Sequence, residues 1–157
     1  MRYFVWFGYD GTRYHGWQYQ PNGITVQEEL ERALSLLLRE DIHVTGAGRT
    51  DTGVHARQMA AHFDTEVVFD CVHMVKRLNG VLPYDIGVSK VEAVAADKHA
   101  RFSATARTYH YYIHYGTGKF SSASFFRRSY MEYYRVSTHL LRIILVHCHC
   151  NPLIQPH

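Results

Sequence analysis

Apolar residues crowd positions 2–9, Arg-Tyr-Phe-Val-Trp-Phe-Gly-Tyr, where aromatic and β-branched types occupy both alternating faces. That pattern predicts a strand buried on both sides, at the centre of a sheet. Asp10-Gly11-Thr12 and Pro21-Asn22-Gly23 predict two turns enclosing a loop that holds Tyr14, His15, Gly16, Trp17, Gln18 and Tyr19. Thr25 followed by Glu28 forms a capping-box pattern, and Val26, Leu30, Ala33, Leu34 and Leu37 share one side of a helix that should end near Glu40. Residues 42–46 read as a short strand, glycines at 46, 48 and 53 bracket a tight polar loop, and residues 56–63 return to an extended pattern. A second helix is predicted from Asp70 to Leu78, where Val72, Val75 and Leu78 recur at helical spacing, with Asn79-Gly80 as its stop and Pro83 in the next turn. Strands at 86–95 and 105–115 complete an α+β order in which helices cover one sheet face. No internal repeat is visible.

The character changes after about residue 118. Ser121-Ser122-Ala123-Ser124 carries little information, Arg127-Arg128 and clustered tyrosines follow, and an apolar run from Leu140 to Val146 suggests a partly helical tail. His147-Cys148-His149-Cys150 invites a metal reading, but alternate residues of a strand face opposite ways, so one tetrahedral site would not take all four. We read the cluster as structural or adventitious. The chain thus divides into residues 1–118 and a divergent, truncated or frameshifted end at 119–157.

With 157 residues, 46% hydrophobic and 20% charged, the chain can bury one moderate core. No apolar run approaches the roughly 18 residues of a spanning helix, and the polar N-terminal segment lacks a secretory apolar stretch. A cytoplasmic protein is expected. Three cysteines, two of them only two residues apart, make a disulfide framework improbable. Net charge is +3, but residues 1–97 hold 9 basic and 13 acidic groups while 98–157 hold 8 and 1. The two parts therefore carry −4 and +7. Twelve tyrosines lie among these charges. Tyr, Arg and Lys together suit a polyanion with stackable bases, and a solvated basic face reads the same way.

The densest chemical signal is Gly48-Arg49-Thr50-Asp51-Thr52-Gly53-Val54-His55-Ala56. A guanidinium near a carboxylate favours its ionised form while burial opposes it. The combination suggests a fixed, poorly solvated Asp51 available as nucleophile or base. The alternative is a turn aspartate that caps its own backbone. Asp51-Thr52-Gly53 also matches the Asp-Thr-Gly triplet of aspartic proteases, but those enzymes share one proton between two carboxylates, and Arg49 would drive both toward ionisation. Glycoside hydrolysis likewise uses two carboxylates, where here one stands alone.

The longer segment, Gly-Arg-Thr-Asp-x-Gly-Val-His-Ala, resembles the catalytic signature of the tRNA pseudouridine synthase A family. Tyr9-Asp10-Gly11-Thr12 with Gly16-Trp17-Gln18, Val26-Gln27-Glu28-Glu29-Leu30, Arg77-Leu78-Asn79-Gly80-Val81-Leu82-Pro83 with Asp85-Ile86, and Ala100-Arg101-Phe102-Ser103-Ala104 with Arg107-Thr108-Tyr109 are similar to further motifs of that family. The similarity runs from about residue 2 to 115. It implies a mixed, largely antiparallel sheet with helices on one face, and isomerisation of uridine to pseudouridine in the anticodon arm of tRNA without cofactor, metal, redox step or external energy source. Asp51 matches the family's essential aspartate, which either attacks the sugar C1′ or abstracts a sugar proton to give a glycal. Arg49 matches the residue that orients it, and Tyr109 the active-site tyrosine that stacks on the displaced uracil. Arg101, Arg107 and Lys98 are candidates to hold phosphates, and Trp17 and Gln18 lie in a loop similar to one near the family's RNA cleft. Family members continue into a second half that supplies part of the active-site wall and much of a homodimer contact, and that half is not recognisable after residue 118. Three readings therefore stand: a synthase, an RNA-binding remnant without turnover, and an aspartic protease.

Overall fold

The computed structural model describes residues 1–112 and 143–150. The N-terminal aromatic run is β1, Arg2–Tyr9, and it lies inside the sheet as its composition predicts. It pairs antiparallel with β3 (His55–Asp64) on one side and with β4 (Ile86–Val94) on the other. Both faces of β1 are buried as well. Its odd positions, Tyr3, Val5, Phe7 and Tyr9, join the main core, whereas Phe4 and Trp6 on the even face pack with Ala47, Ala60 and Ala100.

Helix α1, Val26–Leu38, starts where the capping pattern places it, with Thr25 Oγ1 accepting from Glu28 N at 3.3 Å. Arg39 ends it in a left-handed conformation, φ 59°. Val26, Leu30 and Leu34 of α1, together with Met74 and Leu78 of α2 (Cys71–Val81), cover the odd face of β1. Each is at most 1% exposed, so truncating one to alanine would cost roughly 2–5 kcal/mol.

Two sequence expectations between residues 42 and 82 differ from the structure. Asn79-Gly80 does not stop α2, because the Asn79 amide donates to Val88 O and accepts from Val88 N, both at 2.8 Å, and so links the helix to β4; the chain leaves the helix only at Leu82, before Pro83. The strand expected over 42–46 shrinks to β2, Thr45–Gly46. Ahead of it the Ile42 and Val44 amides donate to Ser35 Oγ and Glu31 Oε1, side chains of α1, so helix groups take donors that a strand ladder would use.

The sheet runs β4-β1-β3-β6-β5, with β2 also on β3. Here β5 is Ala104–Tyr112 and β6 is Ile143–Cys150. β6 lies parallel to β3 and antiparallel to β5, with Thr108 opposite His147, and every other pairing is antiparallel. A mixed, largely antiparallel α+β sheet results, as expected. Residues 143–146, read from sequence as part of a helical tail, belong to a strand, in keeping with their β-branched content. The rest of the expected strand beyond Tyr112, the serine-rich segment at 121–124, Arg127-Arg128, and positions 140–142 lie outside the described residues. Among the described residues no helix is long and apolar enough to cross a membrane.

Candidate nucleic-acid interface and catalytic loop

Two loops brace each other at the end of β1. After Tyr9 the chain makes a short 3₁₀ turn at Gly11–Arg13, started by Asp10, whose carboxylate accepts from Thr12 N and Thr12 Oγ1 at 3.0 and 2.7 Å. Gly11 sits directly against the backbone of Val54, where an added Cβ would lie 2.0 Å from the Val54 oxygen. Gly16, at φ +88°, approaches Thr50 as closely, its Cβ position 2.3 Å from the Thr50 oxygen. Across this seam Trp17 N donates to Thr50 O at 3.1 Å, Gly53 N to Tyr14 O at 3.3 Å, and the Tyr9 and Thr50 hydroxyls meet at 2.8 Å. Burial pushes the Tyr9 phenol well above its ordinary range, so it is neutral at this contact.

Behind the seam, Asp85 is buried and accepts from Tyr14 Oη and Arg13 Nε, both at 2.7 Å. His55 Nδ1 stands 3.0 Å from Asp10 Oδ1. Burial pushes the Asp10 carboxyl upward, but the hydrogen bonds from His55 and Thr12 outweigh it and hold it down at about 2. The glycine-rich motif loop is thus held through its backbone and through Thr50, which points inward.

That anchoring decides where Asp51 goes. Thr50 takes the inward position, and Arg49 and Asp51 on either side of it are exposed. The Asp51 main-chain oxygen accepts from Val54 N at 3.1 Å, but among the described residues its carboxylate has no hydrogen bond or ion pair, with Arg49 or any other group. The poorly solvated, arginine-paired carboxylate expected from sequence is not what the loop presents.

Beside the loop lies an open cleft of about 610 Å³. It gathers Arg49, Arg101, Arg107 and Tyr109, together with Gln18 and Phe102, and among the described residues no carboxylate lines it. Tyr109, on β5, is 44% exposed. Arg107 reaches across from β5 over Gly48, donating from Nε to Ala47 O at 2.9 Å and from Nη2 to Arg101 O at 2.6 Å. It ties the second motif to the first. Arg49 and Arg101 are exposed, and their guanidinium groups have no acceptor among the described residues.

The remaining predicted site residues separate. Gln18 is exposed on the cleft. Trp17 lines it too but is only 3% exposed; its indole lies on Gly46 and stacks on Phe7 at 5.2 Å, so it pins the loop to the core. Lys98 is not on the cleft. Its carbonyl accepts from Arg2 Nη1 at 3.0 Å and its ammonium lies 3.9 Å from Asp97, which corrects its grouping with Arg101 and Arg107. Residues that sequence reasoning missed are Phe102 on the cleft and the bracing pairs Asp10 with His55 and Tyr14 with Asp85. All but Tyr14, which lies in the loop between two of them, are inside quoted motifs, but linear spacing does not disclose who pairs with whom. Among the described residues no three His, Cys, Asp or Glu side chains gather as a metal site.

Comparison with known proteins agrees with this reading of the motifs. Residues 6–103 match the sequence model of the tRNA pseudouridine synthase family. A tRNA pseudouridine synthase A of Bacteroides thetaiotaomicron is 60% identical over 113 residues, covering 72% of this chain and 42% of that protein. That of Azobacteroides pseudotrichonymphae is 50% identical over 126 residues, 80% of this chain and 51% of its own length. In Bacteroides fragilis a protein of the same name is 59% identical over 114 residues, 72% and 45% of the two lengths. The chain therefore spans about half, or somewhat less, of the length of these curated relatives. With a family match that covers the motif loop, its bracing turn and the Arg101-Phe102-Ser103 segment, the chain belongs to the tRNA pseudouridine synthase family.

Proposed function

We propose that the chain binds the anticodon stem-loop of tRNA and isomerises a uridine there to pseudouridine, with Asp51 as the reacting carboxylate. The observation that carries this reading is the cleft itself: arginines from two separate motifs and an exposed tyrosine converge beside the Gly48–Ala56 loop, and no acid among the described residues lines it. Arg49 and Arg101 take phosphates, Arg107 holds the two motif segments together, and Tyr109 stacks on the uracil after the nucleotide leaves its helix. The Asp51 carboxylate then either adds to C1′ as the C1′–N1 bond breaks, or removes a sugar proton to leave a glycal. In both routes the uracil turns and C5 bonds to C1′, with the Asp51–C1′ ester bond breaking in the first and the abstracted proton returning to C2′ in the second; the C5 proton departs and N1 gains one, so Asp51 is regenerated and the reaction is redox-neutral. Bound RNA supplies the cover that the exposed Asp51 lacks in the free protein. The setting is the cytoplasm, and the active species is a homodimer.

The exposure and lack of partners of Asp51 favour a second reading, RNA binding without turnover. Incubation with a tRNA transcript, followed by carbodiimide detection of pseudouridine and a parallel binding assay, decides between them. The first reading expects product with the wild type and none with Asp51→Asn, which still binds. Binding without product from the wild type would establish the second. Product formation that survives Asp51→Asn would remove Asp51 from the chemistry.

A further inference from the structure

Phe102 is 79% exposed, an unusual position for a phenylalanine, and it projects into a cleft otherwise rich in arginine. The turn that carries it is built rigidly. His99 N donates to Ser103 Oγ at 3.0 Å, Ser103 N to His99 O at 2.7 Å, and Arg101 N to His99 Nδ1 at 3.1 Å. Ala100, fully buried beneath it, donates from its amide to His62 Nδ1 at 3.2 Å. Arg107 clamps the outer side through Arg101 O.

The ring also has a continuous backing. Phe4, His62, His99 and Phe102 succeed one another with centroid separations of 6.0, 4.5 and 4.4 Å, leading from the core to the cleft. Both histidines use Nδ1 as an acceptor, which keeps each ring neutral. One face of Phe102 is thus supported while the other is open, with cations nearby to hold a phosphate chain. A ring held in this way before the ligand arrives costs little ordering on binding.

We infer that Phe102 is a stacking face for a nucleobase of the bound RNA, an inference that rests on the proposed RNA-binding reading and adds a contact to it. Stacking of a base on an aromatic ring is tolerant of sequence, so the contact strengthens binding without selecting a base.

The test compares wild type, Phe102→Ala, Phe102→Trp and the distant exposed Val68→Ala for binding to a short oligouridylate and to an abasic ribose-phosphate strand of equal length. Phe102→Ala should lose roughly ten-fold in affinity for the oligouridylate and nothing for the abasic strand, whose undiminished binding also shows the variant is folded. Phe102→Trp should restore the loss, and Val68→Ala should match wild type on both strands. Equal losses on the two strands, or no loss on either, would overturn the inference while leaving RNA binding intact. A wild type that binds neither strand would overturn the inference and the RNA-binding reading together.

Discussion

His55 Nδ1 lies 3.0 Å from Asp10 Oδ1 in a buried pair that joins the turn after β1 to the strand leaving the motif loop. The contact explains why a histidine stands in the Gly-Val-His-Ala stretch: it serves the geometry of the loop and sits away from solvent. Because the pair and the Thr12 bonds depress the Asp10 carboxyl from 3.8 to about 2, ionised Asp10 favours the folded state. That contribution is complete above the ordinary carboxylate value and is lost as pH falls through about 2. At 1.36 kcal/mol per unit it amounts to about 2 kcal/mol. Urea unfolding of Asp10→Asn should show a deficit of that order at neutral pH which narrows below about pH 4 and closes near pH 2. A deficit that stays constant with pH would show that the charge is not what the pair contributes.

His62 acts in a different window. Burial, then the nearby Arg2 and His99, lowers its imidazole from 6.5 to about 4. The unfolded chain binds a proton between those values and the folded one does not, so stability falls as the pH drops from about 6.5 to about 4. The total is about 3 kcal/mol at most. In His62→Gln this limb should flatten while the Asp10 limb at lower pH survives. Loss of both limbs together would mean that the substitution disturbs more than the histidine titration.

The glycines of the seam should respond unequally to alanine. Gly11→Ala and Gly16→Ala place a methyl 2.0 Å from Val54 O and 2.3 Å from Thr50 O, both backbone atoms that cannot rotate aside. Each should cost at least about 2 kcal/mol and weaken RNA binding by spoiling the motif loop. Gly80 meets nothing within 4 Å and lies in α2, so Gly80→Ala should stabilise by roughly 0.5–1 kcal/mol. Thermal melting of the three variants checks the order.

The same contrast shows what could be read from the sequence. β1 and α1 were legible because each is specified locally, by an aromatic run and by Thr25 with Glu28. Asn79-Gly80 misled because the Asn79 amide is committed to Val88, nine residues away, and Ile42-His43-Val44 misled because α1 side chains take the Ile42 and Val44 amides. In the site, the two motifs identified Arg49 and Asp51, and Tyr109, as candidates, and the structure places Arg49 and Tyr109 on one cleft. Asp51's exposure was not legible, since it follows from which residue of three adjacent ones turns inward, and that is settled by Tyr9 reaching Thr50 across 41 residues. Lys98 was grouped with the arginines by charge alone, whereas Arg2 and Asp97 fix its surroundings elsewhere.

The three cleft arginines should differ in their salt behaviour. Arg49 and Arg101 have no acceptor among the described residues, which leaves their guanidinium groups available to phosphate. Arg107 already gives Nε and Nη2 to protein carbonyls at 2.9 and 2.6 Å. Each phosphate contact contributes about 0.7–0.9 to the slope of log affinity against log salt, through release of a bound counterion. Arg49→Gln and Arg101→Gln should therefore each flatten the slope for tRNA by close to one unit. Arg107→Gln should instead weaken binding at every salt concentration with little change of slope, because it frees the Arg101 segment from the loop without deleting a phosphate partner. Arg107→Lys should fall with it, since one ammonium cannot reproduce a guanidinium that bonds two carbonyls in fixed directions. Filter binding across a salt series measures both quantities at once, and equal slope changes for all three arginines would place Arg107 on the RNA backbone as well.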